Sequence, residues 1–190
     1  MQIPELKDFS LVGGTALSLY YGHRTSIDLD LFSNVEFDNQ SIATVLSKEF
    51  GSEFEYEPDF KSFGIFCYIQ KVKVDIVRYP HIPIAELEVL NDIRMYSPKD
   101  ISAMKINAIL GRGKKKDFWD LSELLANYKL AELIRWHREK YPNQMLLISI
   151  PNAITYFTDA NDSDEPVSLK GQSWESVQEN IRAAVREYLS

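Results

Sequence analysis

Asp28 and Asp30 are separated by one residue in the run from Ile27 to Phe32, where Leu29 and Leu31 alternate with them. Successive side chains on a strand point to opposite faces, so an extended run puts both carboxylates on one side and both leucines on the other. At a rise of about 3.3 Å per residue the two Cα atoms would stand about 6.7 Å apart. That is close enough for the carboxylates to bind one or two hard cations, and without a cation they repel each other. A third carboxylate follows in the run Val72 to Arg78, where Val72, Val74 and Ile76 alternate with Lys73, Asp75 and Val77. A polar residue between valines ordinarily marks the wet face of a sheet. Beside a strand already carrying two aspartates, Asp75 becomes a candidate ligand of the same site.

Upstream, Gly13 and Gly14 close an apolar strand expected over Phe9 to Val12 and open a helix expected over Thr15 to Tyr21. A helix start offers free backbone N–H groups at the positive end of the helix dipole, and glycines let a phosphate approach the backbone. A glycine pair alone is usually a turn, and Asp-x-Asp alone is common on solvated strand edges. Together, a glycine turn at Gly13, Gly14 and Thr15 leading to a two-carboxylate strand reads as a site for magnesium and a nucleoside triphosphate. Arg24 and Ser26, between turn and strand, are candidates for phosphate contact or for bracing the turn.

A second constellation lies downstream. Lys105 and Arg112 are seven residues apart, nearly two full turns of a helix, so they share a face and could reach one ligand. Asp117 and Asp120 are spaced to be neighbours on the next helix. Arg112, Lys114, Lys115 and Lys116 make the one dense basic cluster of the chain. The plain alternatives are a solvated helix start for the cations and a favourable dipole interaction for the carboxylates.

Several elements must position these groups. Ile42, Val45, Leu46 and Phe50 have helical spacing, ended by Gly51. A strand over Phe54 to Tyr56 and a hairpin of Gly64 to Gln70 with Val72 to Arg78 are expected next. Pro80 and Pro83 break the pattern. Ser97 and Pro98 then have the residue types of an N-cap and first helical position, beginning a helix that carries Lys105. Helices are expected over Lys115 to Asn127, Ala131 to Tyr141 and Trp174 to Leu189. Met145 to Ile150 reads as a short strand or buried helix. Thr158 to Val167 is an acidic loop without the glycine that a calcium loop needs at its sixth position, where Asp164 stands, and is expected to be solvated surface. The organisation expected is a sheet domain over residues 1–96 and a helical region over 97–190 that completes the site.

With 190 residues the chain can bury a sizeable core. A net charge of -7 argues against nonspecific coating of nucleic acid while leaving room for local contact through the basic cluster. The single cysteine, Cys67, excludes an intrachain disulfide and sits in an apolar run as an inert thiol. No apolar stretch is long enough for a membrane helix, and the N-terminus lacks a basic region followed by an apolar one, so a cytoplasmic location is expected.

The segments Gly13 to Leu17, Arg24 to Phe32, Val74 to Val77, and Lys105 to Ala108 leading into Arg112 to Leu121 together resemble the AbiEii/AbiGii toxin family of nucleotidyltransferases. The resemblance spans residues 11–121 in four ordered motifs, and residues 122–190 carry no matching motif. It implies an α/β (α+β) fold of the DNA polymerase β nucleotidyltransferase type, a small mixed β-sheet flanked by helices with a helical C-terminal part. It implies toxins of bacterial toxin–antitoxin or abortive-infection (phage defence) systems, with an NTP substrate, an RNA or tRNA acceptor and a cognate antitoxin. Carried over, Asp28 and Asp30 are the metal ligands of the first motif, Asp75 the carboxylate of the second and Lys105 the lysine of the third. Either Asp117 or Asp120 is the aspartate of the fourth. The implied cofactor is Mg2+, as two ions, with Mn2+ able to replace it. Gly13, Gly14 and Thr15 would hold the β and γ phosphates, with Lys105 and Arg112 neutralising the pyrophosphate.

Two other functions fit part of this pattern. An aminoglycoside-like small-molecule adenylyltransferase also pairs Gly-Gly with two aspartates, and the acidic chain suits a cationic drug. A catalytically idle nucleotide-binding or antitoxin module would be expected to lose a carboxylate, and all three are present.

Overall fold

The computed structural model describes residues 2–58 and 62–190. In chain order the elements are β1 (Ser10–Val12), α1 (Gly13–Tyr21), β2 (Leu29–Ser33), α2 (Asn39–Phe50), β3 (Phe54–Tyr56), β4 (Gly64–Ile69) and β5 (Val72–Arg78). There follow β6 (Glu88–Leu90), β7 (Ile93–Met95), α3 (Pro98–Gly111), α4 (Lys115–Asn127), α5 (Leu130–Lys140), α6 (Ile150–Ile154), α7 (Thr158–Asn161) and α8 (Trp174–Leu189).

Among the described residues the strands form one mixed sheet in the order β3-β4-β5-β2-β1-β7-β6. β2 runs parallel to β5 and β1 parallel to β7, and the other neighbours are antiparallel. The parallel pairing matters most. It sets Asp30 directly opposite Asp75 in register, although 45 positions separate them in the chain. Ile65 and Cys67 of β4 and Val74 and Ile76 of β5 are buried in a cluster with Ile42, Ala43 and Leu46 of α2. That burial fixes the register, because a slip of one residue would send the aspartates into the apolar cluster. A larger cluster joins Leu11 and Val12, α1 and Met95 to α3, α4, α5, α6 and α8. Within it Trp119 stacks on Trp174 at 5.9 Å, tying α4 to α8.

Helix starts follow the side chains that cap them. Asp38 accepts from the Ser41 N–H at the head of α2, and Ser97 accepts from the Asp100 N–H at the head of α3, with Pro98 next to it. The expected elements are present with ends shifted by a few residues, and three features differ. The β6–β7 hairpin is not among the expected elements. Glu88, Val89 and Leu90 are all exposed, so no apolar alternation advertises β6, and its turn is made by Asn91 and Asp92, both at positive φ. Met145 to Ser149 form neither strand nor helix, Met145 and Leu147 being fully or nearly fully exposed, and the short helix α6 starts only at Ile150 behind its Ser149 cap. The acidic segment after Phe157 opens with the short helix α7 instead of being loop throughout. Among the described residues no helix is long and apolar enough to cross a membrane.

Candidate active site

The turn from β1 into α1 is shaped by what approaches it. Gly13 adopts φ +72°, and a Cβ placed there would lie 2.6 Å from Oδ2 of Asp30. Only glycine combines that left-handed backbone with so close a carboxylate. Val12 pairs with Asp30 across β1 and β2, so the first free N–H groups of α1 lie beside the carboxylate row. Gly14 has a different reason. A Cβ there would sit 2.0 Å from Nη2 of Arg24, which packs beneath the turn. The Thr15 hydroxyl donates to the backbone carbonyl of Asp28 and lies 2.9 Å from the Ser26 hydroxyl, fastening the helix start to the segment entering β2.

Asp30 and Asp75 share one face of the sheet, since Leu29, Val74 and Ile76 around them pack into the cores. Burial, reinforced by the charge of Asp75, pushes the Asp30 carboxyl above the usual carboxylate range, against the opposing pull of Lys105, Lys73 and Lys116. One oxygen of Asp75 contacts the ammonium of Lys73, and the other, Oδ1, is buried with no hydrogen-bond partner. Burial opposes charging of Lys73, but its hydrogen bond and attraction to Asp75 hold its pKa above the ordinary lysine value. Asp28 stands just before β2, about half exposed, with its Oδ2 3.8 Å from Nζ of Lys116.

Among the described residues no three His, Cys, Asp or Glu side chains are gathered closely enough to enclose a metal ion. The donors present nevertheless suit a hard divalent cation. Two carboxylates lie side by side, one with its pKa raised by burial and by its neighbour's charge and the other holding a buried oxygen without a hydrogen-bond partner. A cation between them would relieve both.

Behind this row lies a buried charge cluster centred on Asp120. Arg24 clamps it in bidentate fashion, Nε at 2.7 Å from Oδ1 and Nη2 at 2.9 Å from Oδ2. His23 Nε2 lies 2.7 Å from Oδ1, and Lys105 Nζ lies 2.7 Å from Oδ2 and 3.0 Å from Oδ1 of Asp117. Burial disfavours ionised Asp120, but Lys105, His23 and Arg24 outweigh it and hold the carboxyl far below the usual range. Burial likewise opposes a charged Lys105, yet Asp120 and Asp117 hold its pKa above the ordinary value. Asp117 also accepts from the Lys114 N–H at the head of α4, and Nε of Arg112 is 3.8 Å away.

Lys105 and Arg112 both approach the Asp117 carboxylate, Lys105 buried and Arg112 exposed just past the end of α3. Arg24, Lys105, Asp117 and Asp120 are buried and bound to one another, whereas Asp28, Lys116 and Arg112 are partly exposed. Gly13, Gly14, Asp30 and Asp75 line the turn and sheet face between these two sets. His23, completely buried, belongs to the Asp120 cluster and was not singled out from the sequence. Its partner is 97 positions away, and nothing in local spacing signals the pairing.

Residues 2–187 match the AbiEii family, described as nucleotidyl transferase AbiEii toxin, type IV toxin–antitoxin system. A protein of Aquifex aeolicus (strain VF5), aq_aa25, is 36% identical over 188 residues, covering 96% of this chain and 88% of the relative. JHP933 from Helicobacter pylori has a similar fold, with a TM-score of 0.58 at 16% identity over 95% of this chain and 83% of that one. MenT4, a nucleotidyltransferase toxin from Mycobacterium tuberculosis H37Rv, aligns with a TM-score of 0.54 at 15% identity over 94% of this chain and 75% of its own. With a mixed sheet that sets an aspartate pair beside a glycine-led helix start, and a family match over nearly its whole length, the chain belongs to the AbiEii family of nucleotidyltransferase toxins of toxin–antitoxin systems.

Proposed function

We propose that this nucleotidyltransferase moves a nucleoside monophosphate from an NTP to an acceptor hydroxyl on RNA, tRNA being the leading candidate. The observation that carries the reading is the in-register pair Asp30 and Asp75 beside the N-terminus of α1. The free N–H groups at Gly13, Gly14 and Thr15 receive the β and γ phosphates, where the positive end of the helix favours anions.

Asp28, Asp30 and Asp75 would hold magnesium, most simply as two ions, which when bound supplies Lewis-acid stabilisation of charge on the attacking and leaving oxygens. The acceptor oxygen attacks the α-phosphorus, the bond from that phosphorus to the bridging oxygen of the β-phosphate breaks, and pyrophosphate leaves. Asp75 also helps to take up the proton of the attacking hydroxyl. Lys116, in reach of Asp28 and partly exposed, and Arg112 at the end of α3 offset charge on the departing pyrophosphate. Lys105 acts from behind, its charge lowering the proton affinity of Asp30 while Asp120 and Asp117 hold it in place. A cognate antitoxin, expected from the family, restrains the activity in the cell.

The test is direct. Protein is incubated with each labelled NTP in turn, magnesium and total RNA, alongside Asp75→Asn. Labelled RNA is expected with at least one NTP for the native chain and at least 100-fold less for the variant, roughly 3 kcal/mol of transition-state stabilisation. No label in RNA from any NTP refutes the acceptor class.

A further inference from the structure

β4 runs beside β5 with Phe66 opposite Asp75 and Tyr68 opposite Lys73. Ile65 and Cys67 of this strand are buried against α2, so alternation turns Phe66 and Tyr68 onto the other face, the face of Asp75. Both rings are open to solvent, 44% and 48% exposed, and Phe63 adds a third, 69% exposed and edge-on to Phe66 at 5.4 Å. Glu55 of β3, opposite Tyr68, marks the outer limit of the patch. Three exposed aromatic rings grouped next to a catalytic carboxylate cost solubility and make no contribution to either core.

We propose that Phe63, Phe66 and Tyr68 form a stacking platform for unpaired bases at the end of the RNA acceptor. The inference rests on the nucleotidyl-transfer reading above and follows from the order of groups across the sheet. The phosphate-binding turn follows β1, Asp30 is on β2, Asp75 on β5 and the aromatic rings on β4 and just before it. In-line displacement places the attacking hydroxyl opposite the leaving pyrophosphate. With the pyrophosphate at α1, the acceptor must arrive from beyond Asp75, over β4. Single-stranded RNA is bound by stacking its bases on exposed aromatic faces, which tolerates any base because every base has a π face. A net charge of -7 leaves little general attraction for phosphates, so stacking has to supply much of the acceptor affinity.

The experiment measures binding of a short fluorescein-labelled single-stranded RNA, and of the same sequence as a blunt duplex, by fluorescence anisotropy with the full chain. Native protein is compared with Phe66→Ala, Phe63→Ala/Phe66→Ala and Phe66→Trp. A thermal-shift titration with a non-hydrolysable NTP and magnesium is run on each. The single-stranded RNA is expected to bind more tightly than the duplex, to lose about tenfold in affinity with Phe66→Ala and more with the double variant, and to recover with Phe66→Trp. The NTP-dependent thermal shift is expected to be the same for all four proteins. Unchanged RNA affinity in the double variant, as a protein-docking patch would give, overturns the platform. So does a native protein that binds no single-stranded RNA. Loss of nucleotide transfer from every NTP with intact RNA binding would instead refute the transfer reading and leave the platform as an RNA site.

Discussion

Asp30→Asn should stabilise the protein in the absence of divalent ions while removing its activity. Asp30 and Asp75 are Cα partners on adjacent strands, and neighbouring strands lie about 4.8 Å apart. Two like charges about 5 Å apart repel by about 3 kcal/mol at an effective dielectric of about 20. Lys73 against Asp75, with Lys105 and Lys116 acting on Asp30, cancel part of that, leaving about 1 kcal/mol. The asparagine keeps the shape and removes the repulsion. For a chain of this size the melting temperature should rise by about 2–4 °C in EDTA.

The sign of the pH dependence follows from the raised pKa of Asp30. The folded state holds this proton more tightly than the unfolded state, so the native chain gains stability as pH falls from the folded pKa to the unfolded one and lacks that gain above it. The asparagine variant should lose this component. Added magnesium should raise the melting temperature of the native protein by preferential binding to the folded state, and most of that rise should vanish in the variant. Differential scanning calorimetry in EDTA and across a magnesium series provides the measurement. A variant that melts below the native protein in EDTA would refute the reasoning, because Asp30 would then be held by favourable partners instead of paired against Asp75.

Two further outcomes are expected. Asp120→Ala should cost about 3–5 kcal/mol in urea unfolding, since it strands the buried charges of Arg24 and Lys105, whereas a surface carboxylate such as Glu139 should cost under about 1 kcal/mol. His137 is buried with neither ring nitrogen bonded, and burial, helped by Arg138, pushes its pKa from 6.5 down to about 4. The unfolded chain takes up that proton first, so stability falls as pH drops from 6.5 towards 4, by about 3 kcal/mol in total. His137→Leu should flatten that part of a pH series of urea melts relative to the native chain.

The alternation of Val72, Val74 and Ile76 with Lys73 and Asp75 was enough to put Asp75 on the polar side of its strand, and burial of Val74 and Ile76 is the reason. The β6–β7 hairpin escaped because strand reading depends on one buried face, and β6 buries none. Met145 to Ile150 misleads in the opposite way: its apolar run suits a short strand or buried helix, yet Met145 to Ile148 stay exposed and only Ile150, at the start of α6, is buried. Asp117 and Asp120 could be seen as neighbours on a helix, but spacing does not say whether that face meets solvent or protein. The three-dimensional fold buries both completely.

The sequence by itself signalled the local chemistry, namely a glycine pair opening a helix, one aspartate on a strand with a second just before it, and a third between apolar residues of another strand. Those depend on φ preferences and a two-residue side-chain period, which act over a few positions. Tertiary structure decided which distant groups meet. It ran β2 parallel to β5 so that Asp30 faces Asp75, drew His23, Arg24 and Lys105 onto Asp120, and left Phe66 and Tyr68 exposed beside Asp75. Such encounters are set by the packing of whole layers, where burying the apolar faces of α2, β4 and β5 leaves only one register and hence only one set of neighbours.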